Sequence, residues 1–284
     1  MNRPPRTTRT IERDVARHYG GGDMAASILD ALAAAGIDRA ALRPSDLARF
    51  EELHIGGREA TEDLVDKLYL MPGHEVLDVG CGIGGSARYI AAHCGCRVTG
   101  LDLTPEFIHS AKTLTAAVGL EQRVRFDIGS ALDMPYEDAR FDAVITQHVA
   151  MNIADRATLY REMARVLKPG RPLAIFDVMR KSDGELLFPV PWAESPDTSH
   201  LVTPQEMDAL LADASLQVIE SEDQTPLAIR YFRKVLEQTA RQARIHPAPH
   251  LAMRKSDEKL RNTLTNIERG VIAPVMMLAV RLGG

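Results

Sequence analysis

Val76-Leu77-Asp78-Val79-Gly80-Cys81-Gly82-Ile83-Gly84-Gly85 is the stretch on which the fold turns. Its apolar first half runs straight into glycine, the pattern of a buried strand that ends in a tight loop and opens a helix. Outward from it, short β-rich runs alternate with helical ones. Strands are predicted at 75–79, 97–101, 123–128, 141–146 and 172–178, and helices at 86–93, 105–118 and 156–167. Leu159, Met163, Val166 and Leu167 fall on one helical face. Thr104-Pro105 reads as an N-cap followed by proline at the first helical position, and Lys168-Pro169-Gly170 as a helix stop. Such alternation predicts an α/β chain, a parallel sheet with helices on both faces.

The flanks read differently. Residues up to about 70 are helical in pattern, with Ile28, Leu29 and Leu32 on one helix and 61–70 on another. Phe188-Pro189-Val190-Pro191-Trp192 is too proline-rich for a regular element. Thr203-Pro204-Gln205-Glu206 reads as a capping box opening a helix to about 214. Two last strands are expected at 216–220 and 274–281, with helices at 231–243 and 257–267 between them. The expected organisation is a helical cap over 1–70 and a core over 71–284, with lid insertions at about 183–203 and 226–270.

Two ligands suit the glycine loop. Gly80, Gly82 and Gly85 have the spacing of a dinucleotide fingerprint, and Asp102 lies where a ribose-binding acid belongs. The helix that follows offers amide groups and a positive dipole end. Asp78, two residues before the first glycine, separates the two. A carboxylate there repels a pyrophosphate but pairs with the ammonium group of a methionine moiety.

The chain resembles the class I S-adenosylmethionine-dependent methyltransferases from about Phe50 to Asp177. VLDVGCGIGG at 76–85 is similar to the family's first motif, and Val98-Thr99-Gly100-Leu101-Asp102 to its second. Gly129-Ser130-Ala131-Leu132-Asp133-Met134-Pro135 is similar to the third, and Phe141-Asp142-Ala143-Val144-Ile145 with Thr146-Gln147-His148 to the fourth. The resemblance implies a Rossmann-like, mostly parallel sheet of seven strands with the last antiparallel, under a helical N-terminal lid. It implies S-adenosylmethionine as cofactor, held by Asp78, Gly80, Gly82 and Gly84, by Asp102 on both ribose hydroxyls, and by Leu103 beside it. Ser130, Ala131 and Leu132 would lie along the adenine, Gln147 at the methionine end. Many relatives carry Asp where this chain has Ser130, which weakens the adenine assignment there. FEELHIGGREAT at 50–61 is similar to the corresponding segment of small-molecule methyltransferases of the sarcosine/dimethylglycine, phosphoethanolamine and quinone-ring kinds, and places Gly57 near the cofactor. As a bare turn, Gly56-Gly57 also reads as a helix entry.

Methyl transfer needs no nucleophilic side chain and no metal; it needs acceptor, methyl and sulfur held in line, and a base only where the acceptor is protonated. His148, just after the fourth strand, and Tyr19, in the N-terminal flank, are the catalytic candidates. His54, Trp192, His200, Arg230 and Tyr231 are the substrate-binding candidates. Trp192 offers a ring face to a cationic methylamine and equally a core anchor. Arg230 suits an acidic substrate.

The 34 Lys and Arg against 39 Asp and Glu leave a net charge of −5, which argues against a nucleic-acid binder. Arg3, Arg6, Arg9 and Arg13 read as a short solvated tail. Cys81, Cys94 and Cys96 make no disulfide framework and no zinc site, and are expected as buried or half-buried thiols. No secretory signal or membrane span is visible. The expectation is therefore a cytoplasmic small-molecule methyltransferase, leaning to nitrogen of a small amine or amino acid. Its partner would be a small-molecule substrate, with no nucleic acid or membrane, and a homodimer is left open. The competing readings are methylation at oxygen, sulfur or carbon, a nicotinamide-dependent oxidoreductase, and a non-catalytic cofactor-binding protein.

Overall fold

The computed structural model describes residues 24–52, 54–241 and 256–283. Helices α1 (Met24–Ala34), α2 (Pro44–Glu51) and α3 (Gly57–Asp66) precede the sheet. The core then runs β1 (Glu75–Val79), α4 (Gly85–Cys94), β2 (Arg97–Asp102), α5 (Pro105–Ala117), β3 (Val124–Ile128), β4 (Ala143–Gln147), α6 (Arg156–Val166) and β5 (Pro172–Arg180). It closes with α7 (Pro204–Asp213), β6 (Leu216–Asp223), α8 (Thr225–Arg241), α9 (Ser256–Glu268) and β7 (Ile272–Arg281).

The seven strands form one sheet in the order β3-β2-β1-β4-β5-β7-β6. β7 runs antiparallel to both β5 and β6, and the other pairings are parallel. β1 and β4 are neighbours, yet the chain leaves β1 towards β2 and β3 before returning to β4. That reversal opens a crevice at the carboxyl ends of the strands, where open α/β sheets bind ligands.

Both faces of the sheet are covered. On one, Val76, Ile145, Phe176 and Phe126 pack with Leu64 of α3, Ile90 of α4, Ile108 of α5 and Phe232 of α8. On the other, Leu77, Val79, Val144 and Ile175 pack with Leu159 and Met163 of α6 and Leu211 of α7. The stripe Leu159, Met163, Val166 and Leu167 is wholly buried, as its spacing requires.

Several boundaries differ from the sequence expectation for local physical reasons. β4 begins at Ala143, because Phe141 makes only an isolated parallel bridge to Leu167. α3 starts at Gly57, four residues early, because Gly56 takes a left-handed N-cap conformation (φ +84°) that turns the chain into the helix. α8 starts at Thr225 instead of 231, and the last part of its expected span lies outside the described residues. Thr104 makes no side-chain cap; the Asp102 carboxylate takes the Thr104 N–H instead. Cys81 and Cys96 are buried and Cys94 half-buried, all as free thiols.

The capping box at α7 is complete. Thr203 Oγ1 accepts the Glu206 N–H at 3.2 Å, and Glu206 Oε2 accepts the Thr203 N–H at 2.7 Å. Thr203→Ala is expected to lower stability by about 1 kcal/mol in urea denaturation, with ligand binding unchanged because α7 lies on the sheet face away from Asp78.

Candidate active site

The strand β1 delivers Asp78 to the crevice and then turns sharply. Gly80, Gly82 and Gly84 all have positive φ (+72°, +53° and +84°), so the turn needs residues without a Cβ. A Cβ at Gly80 would also fall 2.2 Å from Val149 Cγ2. The loop amides are largely satisfied within the fold. Gly80 and Cys81 donate to Leu101 O at 2.7 and 3.1 Å, Gly82 donates to Asp102 Oδ2 at 2.9 Å, and Gly84 donates to Cys81 O at 2.9 Å. Those four amides therefore hold the loop's own shape, and the amides at the start of α4 are the ones that remain for a ligand.

Asp78 is 3% exposed, and its Oδ2 has no hydrogen-bond partner. Burial, followed by the charges of Glu52 and Asp102, pushes its carboxyl up to about 8. Asp102 closes the other side of the loop. Its Oδ1 takes the Thr104 N–H and its Oδ2 the Gly82 N–H, each at 2.9 Å. Burial raises its carboxyl against the pull of these amides. The Thr104 side chain and the Leu103 N–H bear on the same carboxylate. Leu103, Ser130, Ala131 and Leu132 continue the wall, half-buried, beyond the ends of β2 and β3. Ser130 Oγ accepts the Leu132 N–H at 3.1 Å, which shapes the turn.

From the N-terminal side, Glu52 comes close enough to Asp78 for its charge to bear on it. Glu52, whose side chain is 4% exposed, accepts from Arg58 Nε at 2.8 Å and sits 2.9 Å from His54 Nε2. Burial raises the Glu52 carboxyl, but the His54 and Arg58 contacts outweigh it and hold the group below its usual range. A hydrogen-bonded chain continues through Thr61 Oγ1, 3.0 Å from His54 Nε2, to Ser86 Oγ at 3.4 Å, which in turn accepts Gln147 Nε2 at 2.7 Å. Gln147 Oε1 is left without a partner.

His148 follows at the end of β4 with φ +58°, a left-handed conformation costing a non-glycine residue about 1–3 kcal/mol. Its N–H donates to Phe176 O at 2.7 Å, and its ring meets the Phe176 ring edge-on at 4.8 Å. Neither ring nitrogen has a partner. Burial and the nearby His54, whose ring centroid is 6.0 Å away, push the imidazole down to about 3. His148 is therefore neutral at physiological pH and carries one unmet donor and one unmet acceptor.

The structure brings Asp78, Gln147, His54 and His148 together. Gly57 is the first residue of α3, and a Cβ there would lie 3.7 Å from Tyr231 Cε2. Tyr231 is pushed up to about 12 by burial and by Glu52, so it borders the same cluster. The other candidates have contacts of their own. Trp192 is 3% exposed among core side chains, its Nε1 donating to Ser199 Oγ at 3.0 Å. His200 is half-buried, and its carbonyl accepts Arg156 Nη2 at 2.7 Å. The Arg230 side chain is 64% exposed and pairs with Glu59 at 3.3 Å. Tyr19 lies outside the described residues. Sequence reasoning missed Glu52, Thr61 and Ser86; the only signal was two adjacent acids before His54, which spacing alone does not distinguish from a solvated pair.

Residues 77–175 match the model of a methyltransferase domain. The chain is similar to that domain over this stretch. It is 38% identical over 134 residues to methyltransferase GfsG of Streptomyces halstedii, covering 47% of this chain and 48% of that protein. It is 30% identical over 215 residues to phosphoethanolamine N-methyltransferase 3 of Arabidopsis thaliana, covering 71% of this chain and 42% of that protein. The chain thus spans half or less of the length of these curated relatives. Its fold is similar to that of geranyl diphosphate C-methyltransferase from Streptomyces coelicolor A3(2), with a TM-score of 0.72, 19% identity, and coverage of 98% of this chain and 100% of that one.

The raised Asp78 sets a pH dependence. Between about pH 4 and 8 the folded, ligand-free protein keeps a proton on Asp78 that the unfolded chain has lost, so this group's contribution to stability falls as pH rises. The slope from one such group is at most about 1.4 kcal/mol per pH unit. Asp78→Asn is expected to flatten that decline when denaturation is compared at pH 5, 6, 7 and 8; parallel curves for variant and parent would show that Asp78 is ionised throughout.

Proposed function

We propose that this chain transfers a methyl group from S-adenosylmethionine to a small-molecule acceptor, with nitrogen of a small amine or amino acid favoured. The observation that carries the reading is Asp78 Oδ2, a buried carboxyl oxygen with no partner beside a loop in which the amides of Gly80, Cys81, Gly82 and Gly84 are already used. A buried, unpaired acceptor calls for a donor, and an ammonium group supplies one with the matching charge. The same residues are poorly suited to the pyrophosphate of a nicotinamide dinucleotide.

Asp78 would hold the ammonium of the donor, Asp102 its ribose hydroxyls, and Leu103, Ser130, Ala131 and Leu132 the adenine edge, with Gln147 and Gly57 at the methionine end. When bound, S-adenosylmethionine supplies a carbon activated by sulfonium. The chain's own task is alignment and exclusion of water, which accounts for on the order of 7–11 kcal/mol in favourable cases. His148 is suited to orienting the acceptor: its neutral ring accepts a hydrogen bond from an amine N–H and leaves the amine lone pair directed at the donor. With a pKa near 3 it is a weak proton store, so its part is positioning in the first instance. His54 and Tyr231 border that position, and Tyr19, Trp192, His200 and Arg230 remain proposed contributors from the flanks. The helical cap over 1–70 and the insertions at about 183–203 and 226–270 are proposed as the lid.

The lean to nitrogen draws on the phosphoethanolamine N-methyltransferase likeness and on the pairing of neutral His148 with His54. A cytoplasmic location, a nucleic-acid-free partnership and a homodimer belong to the same proposal. What supports the first two is the net charge of −5 and that, among the described residues, no helix is long and apolar enough to cross a membrane.

A panel of amines, amino acids, alcohols, thiols and activated carbons incubated with labelled S-adenosylmethionine, read by product mass, tests the reading. A methylated amine is expected. Tight NADH binding without S-adenosylhomocysteine binding would overturn it. Asp102→Ala should weaken S-adenosylhomocysteine binding at least tenfold by calorimetry. His148→Ala should lower kcat by about 10² through loss of positioning, while cofactor affinity stays within about threefold; equal turnover at every pH would reduce His148 to a wall residue.

A further inference from the structure

Arg88 is fully buried, and none of the roles above uses it. Its guanidinium makes five hydrogen bonds to three parts of the fold. Nε and Nη2 donate to Glu51 Oε2 at 3.1 and 2.6 Å. Nη2 also donates to Ile83 O, inside the glycine loop, at 2.8 Å. Nη1 donates to Ala111 O at 3.2 Å and Thr115 Oγ1 at 2.9 Å, both on α5. One nitrogen therefore clasps the N-terminal flank and the loop at once, while another holds the helix that follows Asp102.

We propose that the Glu51–Arg88 pair is a positioning element that locks the 51–61 segment onto the glycine loop and thereby sets the affinity for the methyl donor. The proposal rests on the S-adenosylmethionine reading above. Two further observations support it. First, the loop is shaped around the pair. A Cβ at Gly85 would lie 2.9 Å from Glu51 Cγ and 3.1 Å from Glu51 O, and one at Gly84, which meets the Phe126 ring first at 2.5 Å, would lie 2.9 Å from Arg88 Nη1. Gly85 has no positive φ, so glycine stands there for want of space beside Glu51. Second, the pair continues into the donor site. Glu51 Oε1 accepts Arg58 Nη2 at 2.9 Å, and Arg58 Nε donates to Glu52, whose charge bears on Asp78. Arg88 thus joins both walls of the crevice, the Asp78 side through Ile83 and the Asp102 side through α5. It touches neither reacting atoms nor any group assigned to the cofactor, so its effect is indirect.

The test compares Glu51→Gln, Arg88→Lys and Arg88→Met in the full chain. S-adenosylhomocysteine affinity is measured by calorimetry, and kcat and both KM values with the acceptor found by the panel. Glu51→Gln keeps the side-chain shape and all Arg88 bonds to Ile83 and α5, so it reports on the pair even if Arg88→Met does not fold. The expected result is at least a tenfold rise in S-adenosylhomocysteine Kd and donor KM for Glu51→Gln, with kcat at saturating donor and acceptor KM within about threefold of the parent. Arg88→Lys should lie between the parent and Arg88→Met. A folded Glu51→Gln whose donor affinity stays within twofold of the parent, or one that loses kcat and not affinity, overturns the proposal. If the unsubstituted protein does not bind S-adenosylhomocysteine at all, the donor reading has failed, and the positioning role fails with it.

Discussion

Buried negative charge is the constraint around which this site is organised. Asp78, Glu52 and Asp102 are brought close enough that their charges bear on one another in a region from which water is largely excluded. Each has a different solution. Glu52 is met by Arg58 and His54, and Asp102 by two backbone amides. Asp78 alone of the three has an oxygen with nothing to accept from. Burying an ionised carboxylate without a partner is costly, and such a group takes up a proton instead. Asp78 answers that cost by holding a proton to about pH 8, a place that a cationic ligand group would take on binding.

The sheet topology explains why the charge shortage falls where it does. Asp78 lies on β1, between β2 and β4, at the point where the connections diverge. Helices cover both faces but not the strand ends, so side chains leaving the carboxyl ends of β1, β2 and β4 converge on one opening. His148 emerges from the same edge in a strained backbone conformation, held by a hydrogen bond to β5. The ionic network of Glu51, Arg58 and Arg88 then closes the opening from the flank. Buried ion pairs of this kind contribute little net stability compared with apolar packing. What they do well is fix geometry, and here they fix the loop and the flank relative to each other.

Much of the fold was legible in the chain because its signals are local. The strand at 75–79, the buried stripe of α6 and the capping box of α7 each depend on neighbours within a few residues, and each is found where spacing puts it. The elements that moved were those whose limits depend on distant contacts or on one backbone dihedral. Gly56 starts α3 early through its left-handed turn, and Phe141 leaves β4 because its ladder partner is Leu167 and not a strand. Of the candidate site, Asp78, Gln147, His54 and His148 converge as a group, whereas Arg230 faces solvent and Trp192 faces the core. Periodicity places a residue on a flank but does not say which way a side chain on that flank points.

The glycine loop shows the division most clearly. From sequence, its run of glycines together with Asp78 and Asp102 determined a strand–loop–helix turn at a ligand crevice, because backbone freedom and charge are properties of the residues themselves. Only the tertiary structure decided what each glycine is for. Gly80 makes room for Val149, Gly84 for Phe126 and Arg88, and Gly85 for Glu51. Those partners come from as far as 69 residues away along the chain, from Gly80 to Val149. No local pattern encodes a contact that exists only once β4, α2 and the loop have been packed against the same side of the sheet.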